Sequence, residues 1–132
     1  MALFYKLHYR ENKTHPDATG YFAVIENKGT LSTQEVAEEI QRNCSLKRSD
    51  VLAVLSELGE VVRKSVLQSH AVKLDGLGVF RPGISSVRVT NPDDFDVRRN
   101  VRGLRLNFQP EQSMHNGRRT KNIFENAQLK KG

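Results

Sequence analysis

Nine basic side chains between positions 81 and 121 carry the chemistry this sequence is best equipped for: Arg81, Arg88, Arg98, Arg99, Arg102, Arg105, Arg118, Arg119 and Lys121. A guanidinium is always charged and presents a planar fork of N–H donors that matches two phosphate oxygens, so arginines at short spacing bind anions rather than break bonds. The charge distribution points the same way. Residues 1–80 hold ten Lys/Arg and ten Asp/Glu, whereas residues 81–132 hold eleven and five, so the whole net charge of +6 lies in the C-terminal part. A polyanion is expected to bind there, the alternative being a merely solvated basic tail. Arg98, Arg99, Arg102 and Arg105, with Arg88 ahead of them, form the densest group, and Arg81, Arg118, Arg119 and Lys121 a second tier. Lys47, Arg48, Arg63 and Lys64 belong to the charge-balanced part and are expected to be plain surface.

Catalysis has no comparable footing. His8, His15, His70 and His115 are scattered without metal-ligand spacing, and no Ser or Cys stands in a nucleophile motif. Gly76 and Gly78 do not open a helix as a phosphate loop would. A non-enzymatic protein with no cofactor and no small-molecule substrate is expected. Asp93, Asp94 and Asp96 lie close together, but a loop with no further ligands is weak support for a divalent cation. Cys44 is the single cysteine, which leaves no intramolecular disulfide and no cysteine-based metal cluster. No apolar run approaches the roughly 18 residues of a membrane span, and the opening residues lack the pattern of a secretory signal. A cytoplasmic setting is expected, where the sequons at Asn12 and Asn43 carry no weight.

The elements that must position the cations can be traced from the N-terminus. Leu3–Tyr9 and Tyr21–Glu26 read as strands, separated by a loop over Arg10–Gly20, so the first thirty residues resemble a two-stranded addition. Ser32-Thr33-Gln34-Glu35 is a capping box opening a first helix, with Val36, Ala37, Ile40 and Cys44 on one face. That spacing predicts a buried Cys44 thiol. A second helix is predicted over Arg48–Ser69, with Val51, Leu52, Val54, Leu55, Leu58, Val61, Val62, Val66 and Leu67 apolar. So wide a stripe must be covered on more than one side, and in so short a chain the second cover is expected to be another copy. Ala71–Leu74 and Val79–Pro82 are antiparallel strands around the glycines of Asp75-Gly76-Leu77-Gly78. Ser85–Val89 and Val101–Phe108 alternate apolar with basic or polar residues, giving a long ribbon with arginines on it, closed by the polar reversal Thr90–Asp96. Beyond Pro110 apolar patterning fades, and a frayed basic tail is expected over residues 113–132.

With these elements in place, Val72-Lys73-Leu74-Asp75-Gly76-Leu77-Gly78-Val79-Phe80 resembles the strand-turn-strand signature of the HU/IHF family, V-x-L-x-G-[FL]-G-x-F. Asn107-Phe108-Gln109-Pro110 is similar to the strand end before that family's short last helix. The leading strands and Asn91-Pro92-Asp93-Asp94-Phe95 are closer to the HU-like proteins of Bacteroides and relatives, which carry an N-terminal extension. The resemblance covers residues 31–112 for the HU unit and nearly the whole chain for the extended subfamily.

It implies an α+β fold: two N-terminal helices, then an antiparallel sheet with a protruding β-ribbon arm, in an intertwined homodimer. It divides the chain into an extension (1–30), a DNA-binding unit (31–112) and a tail (113–132). It implies histone-like binding and bending of double-stranded DNA in the nucleoid, through arms in the minor groove and with low sequence specificity. A proline near each arm tip wedges between base pairs in such proteins, and Pro92 is the residue at that position. Asp93, Asp94 and Asp96 stand where ordinary members carry cations and would repel phosphate, unless the arm grips by its stem, the tip is turned away from DNA, or the aspartates cap a turn. Aromatic residues do not interleave with the arginines as a single-strand platform demands. An HU-like fold used as a structural or protein-interaction module, or RNA binding, are the competing readings.

Overall fold

The computed structural model describes residues 2–132, His115 by its backbone alone. In chain order the elements are β1 (Leu3–Arg10), β2 (Gly20–Ile25), α1 (Thr33–Asn43), α2 (Arg48–Leu67), β3 (Val72–Leu74), β4 (Gly78–Ser86), α3 (Val97–Asn100), β5 (Val101–Pro110), β6 (Gln112–His115), β7 (Arg118–Lys121) and β8 (Leu129–Lys131). The chain is α+β. It divides into two units, one of residues 1–32 with 124–132 and one of residues 33–123.

The first unit is a three-stranded sheet in the order β2-β1-β8. β1 and β2 are antiparallel, with Tyr5 opposite Ile25 and Tyr9 opposite Tyr21. β8 pairs with β1 in parallel, Leu3 opposite Leu129. The segment after residue 112 is therefore not the expected frayed tail. Residues 112–121 form the hairpin β6–β7 in the second unit, and residues 129–131 complete the N-terminal sheet. The extension is correspondingly three-stranded and draws on both ends of the sequence, which no local pattern could announce.

In the second unit α1 begins directly after Ser32, where the capping box places it, and α2 ends two residues before the predicted Ser69. Ala37 on α1 and Val51 on α2 are buried, and they are the only buried hydrophobic residues among those described. Arg48 is held against α1 by Glu38 at 3.5 Å and by the Gln34 amide oxygen, which accounts for one cation of the charge-balanced half. Cys44 is exposed, contrary to the expected buried thiol. The helix stops at Asn43, so the helical spacing that put Cys44 on the apolar face no longer applies at its position.

β3, β4 and β5 form an antiparallel sheet in that order. The two short strands predicted over residues 79–89 are one strand, β4, that runs through Pro82 and ends at Ser86. Pro82 lies beyond Phe80, the last residue of β4 paired with β3, in the edge setting a strand proline requires. Gly78 has β5 laid directly over it: a Cβ there would collide with the Gln109 carbonyl oxygen and lie 2.9 Å from Pro110 Cα. The glycine thus lets the end of β5 close against the strand-turn-strand motif.

Candidate nucleic-acid interface

The β4–β5 ribbon has two chemically distinct faces, because residues directly opposite in an antiparallel pair share a side. Phe80, Pro82 and Ile84 stand opposite Phe108, Leu106 and Leu104, making one face apolar. Val79, Arg81, Gly83 and Ser85 stand opposite Gln109, Asn107, Arg105 and Gly103, making the other polar and basic. Arg81 and Arg105 share this second face as diagonal neighbours. Arg105 lies over Gly83, where an added Cβ would come within 2.9 Å of its Nε, and it donates to Ser85 Oγ at 3.1 Å. The absent side chain at position 83 makes room for the guanidinium to lie flat along the ribbon, its fork still exposed.

A register shift between Ser85 and Ser86 bends the pairing just before the arm leaves the sheet. Arg102 is the extra residue at this shift, because Ser85 pairs with Gly103 and Ser86 with Val101, so simple alternation from Arg105 does not apply to it. Beyond the bulge the arm is not the long ribbon expected from alternation. Strand pairing ends at Ser86 opposite Val101, followed by one further bond from Val87 N–H to the Asn100 carbonyl at 2.7 Å. The chain between them folds into a 3-10 turn at Pro92–Asp94 and the single turn α3.

Local hydrogen bonding explains this tip. The Asn91 side chain accepts from Asp93 N–H at 3.1 Å, with Pro92 opening the 3-10 turn. Asp96 caps α3 by accepting from Arg98 N–H at 2.9 Å, while its second oxygen pairs with Arg99 Nε at 3.3 Å. Asn100 locks the turn from the far end, its side-chain oxygen accepting from Asp96 N–H at 2.7 Å. Side chains that compete for backbone donors override the period-2 pattern here. Arg98 and Arg99 thus stand on a helical turn leading into the return strand rather than on the strand itself, and Asp96 is accounted for as a cap. Pro92 is exposed at the end of the arm.

Among the described residues, Arg81, Arg88, Arg98, Arg102, Arg118, Arg119 and Lys121 enter no ion pair, and all are exposed. Of the predicted cations only Arg99 is neutralised by a carboxylate. Arg118, Arg119 and Lys121 are not on the arm but together on β7. Asn107 and Gln109 were not singled out by charge, yet they share the polar face with Arg81 and Arg105; alternation from Arg105 gives that placement. No cluster of His, Cys, Asp and Glu able to hold a metal ion occurs among the described residues, and no helix is long and apolar enough to cross a membrane.

Two helices, the glycine-turned strand pair and a two-stranded ribbon with a basic face define an HU-like chain. The family is HU domain fused to wHTH, Ig, or glycine-rich motif, whose model matches residues 1–126, and this protein belongs to it. The match takes in β1 and β2, so the leading strands are part of the family's pattern. A crystal structure of a proposed bacterial DNA-binding protein from Bacteroides vulgatus superposes with a TM-score of 0.68 at 13% identity. The superposition covers 98% of this chain and 48% of that one, so this chain spans about half of that protein's length. At such identity the likeness is one of fold. No curated protein matches the sequence.

Proposed function

We propose that the protein binds double-stranded DNA as a homodimer, without catalysis, gripping the minor groove with the stem of the arm. The observation that carries this reading is the face of β4–β5 on which Arg81 and Arg105 are aligned beside Asn107 and Gln109 with no carboxylate opposite, in a chain of the HU-domain family. Guanidinium groups on a narrow ribbon fit between phosphate rows, and the polar side chains between them reach groove edges. Arg88, Arg98 and Arg102 extend the contact toward the tip. Arg99 contributes less while Asp96 holds it. Contacts of this kind read groove width and deformability more than base order, which supports low sequence specificity and a general role on the bacterial nucleoid.

The acidic tip divides labour along the arm. Asp93 and Asp94 keep the tip from resting on phosphate, so affinity comes from the stem. Pro92, exposed ahead of them, is the residue placed to enter a base step and bend the duplex. The homodimer accounts for apolar surface that one chain leaves open. Leu104 is 80% exposed, and Ile84, Leu106 and Phe108 on the same ribbon face are about half exposed, as is Val61 on α2. A groove lined by Val62, Val66, Ile84, Leu104 and Leu106 runs between α2 and this face, and a second copy would fill it.

The test is binding of a duplex of roughly 30 base pairs by the intact protein and by a variant with Arg81, Arg88, Arg102 and Arg105 changed to Ala. The intact protein binds and the variant loses most of its affinity. Failure of the intact protein to bind any duplex at low salt would turn the account toward a protein-interaction role. The open apolar face of the first unit, with Tyr21 72% and Leu129 65% exposed, would then be the surface to examine.

A further inference from the structure

From its placement and charge we infer that the β6–β7 hairpin is a second DNA-binding finger, fixed to the unit that bears the arm and contacting phosphates the arm does not reach. The inference rests on the duplex-binding reading above and extends its site. The hairpin closes through Asn116 and Gly117, both at positive φ, 51° and 78°. Two such residues in sequence make the tight turn whose twist matches antiparallel strands. The return strand then places three cations within four residues, Arg118, Arg119 and Lys121. All three are exposed, and none enters an ion pair among the described residues. Arg119 and Lys121 stand opposite Met114 and Gln112, so this face of the finger bears no carboxylate.

Glu111 makes the finger a rigid element. One of its carboxylate oxygens accepts from Gly76 N–H at 3.1 Å and from Asn122 Nδ2 at 3.2 Å. Its own N–H donates to the Leu77 carbonyl at 2.9 Å, and its carbonyl accepts from Asn122 N–H at 2.9 Å. Both ends of the hairpin, residues 111 and 122, are thereby tied together and to the glycine turn between β3 and β4. The cations sit on a strand of four residues, about 13 Å long, whose base cannot swing freely. A loose tail would lose ordering entropy on binding, whereas an anchored finger has already lost it.

The experiment uses the full chain and a duplex of roughly 30 base pairs, with affinity followed against salt and contacts mapped by hydroxyl-radical footprinting. Three variants are compared: Arg118, Arg119 and Lys121 all changed to Ala; Glu111→Ala; and the arm variant above. Loss of three phosphate contacts makes the slope of log affinity against log salt shallower by about 2–3 for each finger engaged. The finger variant is expected to keep binding with that reduced slope and to lose protection at the outer edges of the footprint. Glu111→Ala raises the net charge by one, so charge alone would tighten binding; a freed finger weakens it instead. Wild-type slope and footprint in the finger variant, with weakened binding in the arm variant, would overturn the finger while leaving the arm. Absence of duplex binding by the intact protein would remove both together.

Discussion

Leu104 gives the sharpest test of the dimer. It stands on the apolar face of β5 opposite Ile84 and is 80% exposed in the single chain. In a monomer, Leu104→Ala at so open a site shifts stability by no more than about 0.5 kcal/mol. In the proposed dimer that side chain is covered by the second copy that fills the groove between α2 and the ribbon. Full burial of a leucine is worth about 1.5–3 kcal/mol, and two copies take part, so truncation to Ala removes on the order of 3 kcal/mol from association. At 1.4 kcal/mol per tenfold, dimer dissociation shifts by about a hundredfold. Leu104→Asp goes further, because an unpaired carboxylate in an apolar interface costs several kcal/mol per copy. Sedimentation equilibrium over a micromolar concentration range reads the difference. The wild type is expected at twice 15.0 kDa, with Leu104→Asp at or near 15.0 kDa and largely unfolded for want of a covered core. A wild type that runs at 15.0 kDa, or a Leu104→Asp variant that dimerises as tightly as wild type, would refute the reasoning.

The remaining predictions concern the arm and its support. Asp96→Ala removes the cap of α3 and the partner of Arg99, costing about 1 kcal/mol in local order at the tip yet freeing one guanidinium. Duplex affinity at low salt should rise and the salt slope steepen by about 1 for each arm engaged, a direction that a simple loss of structure would not give. Pro92→Ala leaves affinity within a few-fold but reduces bending, read by energy transfer between fluorophores at the two duplex ends; an unchanged bend would remove the wedge role. Gly78→Ala forces a Cβ against the Gln109 carbonyl and is expected to destabilise the protein by about 2–3 kcal/mol, measured by urea unfolding.

The sequence was most legible where local chemistry and tertiary demand agree. Ser32 to Glu35 announced the start of α1, the apolar stripe of α2 predicted its length to within two residues, and Gly76 and Gly78 marked the turn that β5 closes over. The arm was read as strand from the alternation Val87-Arg88-Val89, but Asn91, Asp96 and Asn100 bind neighbouring backbone N–H groups and wind the chain into turns. Those three side chains carried the signal. The β6–β7 hairpin escaped because Met114 is the lone apolar residue of β6, leaving no alternation to follow, although Asn116-Gly117 is itself a strong turn signal. The parallel pairing of β8 with β1 joins residues more than a hundred positions apart, and no local pattern encodes it. Cys44 failed for a plainer reason: face assignments hold only inside a helix, and α1 ends one residue before it. As for the site, the cations were visible as a charge imbalance. Their division between a ribbon face, a helical turn and a separate hairpin needed the strand register.

The central claim is tested most directly by the salt dependence of binding to a duplex of roughly 30 base pairs. If the arms neutralise about six phosphates, they give log affinity against log salt a slope near −5, steeper by about 2–3 for each finger engaged. Changing Arg81, Arg88, Arg102 and Arg105 to Ala is predicted to weaken binding and to flatten that slope by at least about 2. An intact protein that shows no duplex binding at low salt, or a variant that retains both affinity and slope, would contradict the account.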